Sequence, residues 1–153
     1  MDYLIILEKQ YSYTKNLLMA RKAQFQESFE KPLFEREQTA AEVYIHGLTP
    51  LYRSCMKILN PEIDESTLKL EFNCELSLPE QYIDLYNQVL KILKEIEETM
   101  TSEDLKAHIM YPFDPDTTIS RLEWIGLNIM HAVTHIGQAL RLQSLYLHHK
   151  LNK

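Results

Sequence analysis

Residues 118–147, TISRLEWIGLNIMHAVTHIGQALRLQSLYL, decide how the rest of the chain is read. Taken at alternating steps of four and three, the stretch gives Trp124, Asn128, His131, His135, Gln138, Leu142 and Leu145. Positions so spaced share one face of a helix. The face reads as a core stripe, apolar at both ends and polar at four consecutive positions in the middle. A buried polar group without a partner costs roughly 1–3 kcal/mol. Four of them would consume much of a small domain's stability of about 5–15 kcal/mol. The stripe therefore calls for something that satisfies its middle.

Outward from this helix, three more segments carry helical periodicity. Residues 2–29 place Leu4, Leu7, Tyr11, Leu18, Phe25 and Phe29 at near-helical steps, and Pro32 marks the break after them. Residues 39–59 carry Ala41, Tyr44, Ile45, Leu48, Leu51, Tyr52, Cys55 and Leu59, and Asn60-Pro61 stops them. Gly47 and Pro50 fall inside this span, so a kink is expected there. Residues 80–100 carry Tyr82, Leu85, Val89, Leu93, Ile96 and Met100 behind Pro79. Between the second and third helices the pattern changes to strict alternation. Leu68, Leu70, Phe72, Cys74, Leu76 and Leu78 interleave with Lys69, Glu71, Asn73, Glu75 and Ser77, which predicts a strand with one buried face. Its expected partner is the segment 108–113, giving a short two-stranded β element of about 68–76 with 108–113. Asp114-Pro115-Asp116 is expected to turn, and Asp116 or Thr117 to cap a last helix over 117–147. Three connections between four long helices make an all-α, antiparallel four-helix bundle the economical architecture.

Composition bounds the function. A chain of 153 residues suits one domain, 1–153, and 45% hydrophobic residues suffice for a core. With 3 glycines and 6 prolines, neither a sandwich nor a disordered chain is favoured. The formal charge of −6 and the dispersed cations disfavour nucleic acid as a partner. No apolar run reaches the length of a membrane span and no signal sequence precedes the first helix, so a cytoplasmic protein without membrane contact is expected. Cys55 and Cys74 form no paired motif and are expected to be reduced, buried and inert.

His131 and His135 stand four residues apart, so their imidazoles project from adjacent turns of one helix face. Two ring nitrogens in that relation can reach one metal ion, and neutral imidazole suits zinc, nickel and neighbouring ions. The competing reading is a pair of hydrogen-bonded core histidines. Asn128 and Gln138 on the same stripe favour the site. His148 and His149 lie in a Lys-rich tail and His108 in a strand segment, and all three read as surface residues.

His131-Ala132-Val133-Thr134-His135-Ile136-Gly137-Gln138, followed by Ala139-Leu140-Arg141, resembles the C-terminal H-x-x-x-H-x-G-Q signature of the DinB-like family. The likeness covers the whole chain in length and helix order, with the specific motif confined to residues 131–138. It departs at Ile136, where that family usually has a basic residue. The resemblance implies a four-helix bundle with a third histidine on the second helix, which here is His46. Periodicity alone turns His46 away from the apolar set of its helix, beside Thr39, Val43 and Arg53, although Gly47 and Pro50 can alter the phase. Glu42, one turn earlier, is the reserve ligand. The resemblance further implies a divalent transition metal, zinc or nickel, a small-molecule substrate such as a low-molecular-weight thiol, and a homodimer. It points to a metal-dependent enzyme, a thiol transferase first and a hydrolase second. A non-catalytic metal-stabilised scaffold or small-molecule sensor is the alternative. Trp124, Tyr11 and Tyr44 are candidates to wall the site.

Overall fold

Helix boundaries follow local chemistry in the computed structural model, which describes residues 2–35, 37–64, 68, 76–111 and 114–151. Helix α1 (Asp2–Ala20) is followed by a tight turn at Lys22–Gln24 and a short helix α2 (Phe25–Glu30). Helix α3 (Ala40–Leu59) opens on a capping box. The Thr39 hydroxyl accepts from the Glu42 amide at 3.1 Å, and the Glu42 carboxylate accepts from the Thr39 amide at 2.7 Å. Helix α4 (Pro79–Thr99) begins with Pro79, whose missing N–H is harmless in a first turn. The Gln81 side chain accepts from the Ser77 and Leu78 amides just ahead of it. A short helix α5 (Ser102–Lys106), capped by Thr101 and Asp104, leads to β1 (His108–Tyr111), β2 (Asp114–Ser120) and the last helix α6 (Arg121–Leu151).

Fold class follows the expectation in its main features, helix with a small antiparallel sheet. Cross-chain contacts fix the directions of the long helices. Glu8 pairs with Lys94 and Lys22 with Glu80, so α1 and α4 run antiparallel. Gln10 bonds the Val133 carbonyl and Arg21 bonds Gln143, so α1 and α6 run parallel. Gly47 meets Ala132 and His135 while Ile58 shares a cavity with Trp124, so α3 and α6 run antiparallel. Consecutive helices α3 and α4 therefore point the same way. The end of α3 and the start of α4 thus lie toward opposite ends of the bundle, and residues 60–78 join them. The shared core holds Leu7, Leu18, Leu48, Leu51, Val89, Leu93, Ile96, Ile125 and Ile129, all fully buried. No helix among the described residues is long and apolar enough to cross a membrane.

Several boundaries differ from the sequence reading. The first helix does not run unbroken to residue 29. The turn at Lys22–Gln24 re-aims Phe25 and Phe29 onto Tyr82 and Tyr44, with ring centroids 5.1–5.8 Å apart, and aromatic burial outweighs a few lost helical hydrogen bonds. Residues 114–120 are strand where a turn and a first helical turn were expected. His108–Tyr111 pairs with Asp114–Ser120, matching His108 with Ser120 and Met110 with Thr118. Asp114 still bonds locally, accepting from the Asp116 amide and the Thr117 hydroxyl. The cap of α6 is Ser120. Its hydroxyl accepts from the Glu123 amide and the Glu123 carboxylate accepts from the Ser120 amide, so Asp116 and Thr117 cap nothing. The predicted strand over 68–76 falls mostly on residues 69–75, outside the described ones. Of its inward set, Leu68 is buried and Leu76 packs on the core, whereas Leu78 is exposed ahead of α4. Pro50 is accommodated inside an α3 that remains helical through Leu59.

Candidate metal centre

Three histidines converge where α3 crosses α6. Each of His46, His131 and His135 offers a ring nitrogen, and these three atoms all lie within 4.8 Å of one another. Ring centroids are 5.2 Å apart for His46 and His131, 4.8 Å for His46 and His135, and 4.3 Å for His131 and His135. His46 is exposed and the other two are half-buried, so the cluster opens to solvent on the α3 side.

Gly47 explains how two helices bring these rings together. A Cβ at this position would lie 2.7 Å from the Cβ of His135 and 3.4 Å from the Ala132 carbonyl oxygen. Real side chains do not approach that closely, so glycine is what lets α3 lie against α6 here. Fully buried Ala132 completes the contact from the α6 side. His46, the neighbour of Gly47, is exposed as its periodicity implies, but at the edge of the seam, within reach of the α6 histidines. Val43, placed by periodicity on the same outward face, is buried. The close crossing widens the contact face of α3 beyond its apolar stripe.

The stripe read along α6 is corrected by its burial. The residues that α6 buries are Ile125, Gly126, Asn128, Ile129, Ala132, Ile136, Ala139, Leu140 and Gln143. Trp124, His131, His135 and Leu142 are half-buried, and Gln138 and Leu145 are exposed. The polar run thus lies about one residue, some 100°, off the core centre, on the shoulder that faces α3. Of its four polar members only Asn128 is buried, and its amide donates to the Trp124 carbonyl at 2.9 Å.

Electrostatics single out His131. Its Nε2 is buried and has no hydrogen-bond partner. Burial, together with the adjacent rings of His135 and His46, pushes its pKa below the ordinary value of 6.5, and the backbone of His46 acts weakly the other way. Thr14 Oγ1 and Glu30 Oε1 are also buried without partners, but neither belongs to a cluster of metal-ligating groups. A neutral imidazole with an unused, desolvated lone pair beside two more imidazoles is a donor set suited to a borderline metal ion.

No family model, curated protein or solved structure matches the chain. The geometry of the histidines therefore carries the functional reading.

Other candidate residues fall elsewhere. Glu42 is committed to the cap at Thr39 and does not join the histidines. Tyr44 is fully buried and donates to the Tyr82 carbonyl at 3.0 Å, inside an aromatic layer with its phenol pKa raised by burial. Tyr11 packs edge-on against Tyr86, in contact with the same layer. Trp124 does wall a cavity, of about 260 Å³ with Ser54, Ile58, Ile109, Met110 and Arg121, but no histidine lines it. Gln138 and Arg141 border a more open recess of about 430 Å³ with Val43, Leu142 and Leu145. Val43 precedes His46 by one turn and Gln138 follows His135 by one turn, so this recess abuts the cluster. Cys55 is fully buried and its thiol is pushed up to about 12, so it stays protonated and inert, whereas Cys74 lies outside the described residues. His108, His148 and His149 are exposed and outside the cluster. What the sequence reading missed is Gly47 as a contact residue. Its signal was present, a glycine beside a histidine, and on the facing helix a small residue, Ala132, between the two histidine positions.

Proposed function

We propose that the chain is a DinB-like metal-dependent enzyme with the four-helix architecture of that family, its second and third long helices running parallel rather than antiparallel. His46, His131 and His135 would hold one divalent transition ion, zinc or nickel. The observation that carries this reading is the convergence of three ring nitrogens within 4.8 Å, with His131 Nε2 buried and unpaired. Such an ion supplies Lewis acidity and an open coordination position, which favour the thiolate form of a bound thiol. The chain's own residues set the rest. His131 is held neutral by burial and so keeps its lone pair available near pH 7. The solvent-facing side at His46 gives a small molecule access, and the recess beside Gln138 and Arg141 offers donors for its polar end. A low-molecular-weight thiol transferred to an electrophile is the reaction class proposed. A hydrolase is supported less, because no carboxylate joins the histidine cluster among the described residues and Glu42 is engaged elsewhere.

The proposal includes a cytoplasmic setting, no nucleic-acid partner and a homodimer. Tyr3, Leu127 and Met130, exposed together along α1 and α6, support the last. Metal analysis of the purified protein tests the central claim. One ion per chain is expected in the wild type and almost none in the His131→Ala/His135→Ala double variant, with His148→Ala as the silent control. A screen of thiols against electrophiles should give turnover that follows metal content. Full metal occupancy in the double variant would reduce the two histidines to ordinary helix residues and remove the basis for the enzyme.

A further inference from the structure

Toward the end of α3, where it and strand β1 meet the start of α6, lies the cavity of about 260 Å³ that Trp124 borders. Its walls are mostly apolar, from Ile58, Ile109, Met110 and the indole. Ser54 lines it too, but its hydroxyl donates to the Pro50 carbonyl at 2.8 Å. Two cations, Lys57 and Arg121, line the same cavity, and no described carboxylate does. Both are tethered to neutral acceptors. Lys57 Nζ donates to the Ile63 carbonyl at 3.0 Å. The Arg121 guanidinium donates to the Asp104 carbonyl at 3.3 Å, and its amide to the Ala107 carbonyl at 3.1 Å. Neither cation forms an ion pair with a described residue. The Asp104 carboxylate is engaged by the Thr101 amide and hydroxyl. Each cation has further N–H groups to give.

We propose that this cavity is a binding site for a medium-chain monocarboxylate, with the carboxylate between Lys57 and Arg121 and the hydrocarbon chain against Ile58, Ile109, Met110 and Trp124. Charge complementarity selects the anion. The chain carries a net charge of −6, so an anion gains nothing from the molecule as a whole and must be drawn by a local feature. Lys57 and Arg121 supply it, and hydrogen bonds between ionised partners are roughly twice as strong as neutral ones. Size selects the chain. A cavity of about 150 Å³ takes up benzene, so one of about 260 Å³ has room for a chain of medium length. Phosphate or sulfate would leave the apolar walls wet, so the tail is as much a part of the fit as the charge. The site stands apart from the metal reading. Trp124 precedes His131 by seven residues, about 10 Å along α6, and no histidine lines the cavity.

Trp124 is the chain's single tryptophan, so its emission reports on this cavity alone. Octanoate, 1-octanol and octylamine share a tail and differ in the head group. Titrated into the full chain in the presence of chelator, octanoate should shift Trp124 emission and the methyl resonances of Ile58 and Ile109 saturably. It should bind roughly tenfold or more tightly than 1-octanol, and octylamine more weakly than either. Lys57→Gln and Arg121→Gln should each weaken octanoate by about 10–100-fold. Both should leave 1-octanol unchanged, which a merely structural loss would not do. The His131→Ala/His135→Ala variant should bind octanoate as the wild type does. Octanoate that binds no better than 1-octanol, or that moves neither the emission nor the methyl resonances, would overturn the proposal. So would an octanoate preference that survives in both glutamine variants. Loss of octanoate binding in the double histidine variant would move the acid to the histidines and overturn it as well.

Discussion

Two regions of this molecule bury polar aromatic rings, and they treat them differently. At the α1–α4 contact and the adjoining aromatic layer, phenols are satisfied. Tyr44 donates to the Tyr82 carbonyl, and Tyr86 is hydrogen-bonded to the Leu7 carbonyl at 2.9 Å and lies 2.9 Å from Gln10 Oε1. At the α3–α6 seam, a histidine nitrogen is desolvated and left unpaired beside two further imidazoles. The first region reads as stability, because the buried phenols of Tyr44 and Tyr86 both recover a partner. The second keeps a cost of about 1–3 kcal/mol that nothing in the described chain offsets. A small protein tolerates such a cost where another requirement imposes it, and functional sites are where that happens.

The sharpest way to break the comparison is at Gly47, because the whole seam depends on its missing side chain. Helix propensity favours Gly47→Ala by roughly 1 kcal/mol in an ordinary helix interior. Here the new Cβ would meet the Cβ of His135 at 2.7 Å, and both atoms are fixed to backbone rather than carried on flexible chains. Overpacking of this kind costs about 1–3 kcal/mol, so sterics should win and the variant should be destabilised. Gly47→Val should be worse. Urea unfolding of the metal-free proteins decides it, and a more stable Gly47→Ala would mean that the helices do not approach so closely. Gly137, on the same helix as the histidines but with nothing near its absent Cβ, is the matched control. Gly137→Ala should gain what Gly47→Ala loses.

These glycines also show what the sequence could convey. Periodicity identified the buried faces of α1, α3 and α4 well, since Leu7, Tyr44, Leu48, Leu51, Val89 and Leu93 are all fully buried. It identified the ligand-bearing face of α6 only approximately. A 100° step cannot separate the centre of a buried stripe from its shoulder when both carry side chains such as Ile129 and Trp124. The turn that re-aims Phe25 and Phe29 was illegible because it answers to tertiary partners, Tyr44 and Tyr82, distant in sequence. The cap at Ser120 and Glu123 was not read, because β2 takes up residues 114–120, which the periodicity had given to a turn and a first helical turn. His46 was read as solvent-facing from its own helix alone. Its place is set by how closely α3 can lie on α6, a property of two helices together.

A paired substitution sharpens the contrast between the regions. Tyr86→Phe removes a hydroxyl from a fully buried ring and deprives the Leu7 carbonyl of its side-chain donor, so it should destabilise by about 0.5–1.5 kcal/mol. His131→Leu removes a group that has no partner at Nε2 and replaces it with an apolar side chain of similar bulk. At pH 7 and without metal it should be neutral or stabilising, since no made hydrogen bond at Nε2 is lost. Denaturant midpoints of both variants, measured in chelator, provide the check. A His131→Leu loss as large as that of Tyr86→Phe would mean that the imidazole is an ordinary satisfied core residue.

The smallest expected effect is a slope with pH, and its sign follows from the direction of one shift. Burial and two neighbouring imidazoles hold the His131 pKa below 6.5 in the folded protein. In the unfolded chain the same imidazole titrates near 6.5. Above that value it is neutral in both states and contributes no pH dependence. Between 6.5 and the lower folded value the unfolded state binds more protons, so folding weakens as pH falls. The loss is complete once pH passes below the folded pKa. Metal-free wild type should therefore lose stability on acidification below about pH 6.5, and His131→Gln, which cannot titrate, should show a shallower slope across that window. Chelated samples are essential, because protons and metal compete for the same nitrogens and would superimpose a second slope of the same sign. The partly open position of His131 screens the effect by solvent, so the difference between the two proteins should be smaller than either substitution above. Parallel slopes for wild type and His131→Gln would show that the imidazole is no more desolvated than a surface histidine, and the seam would then hold no excess cost for a ligand to relieve.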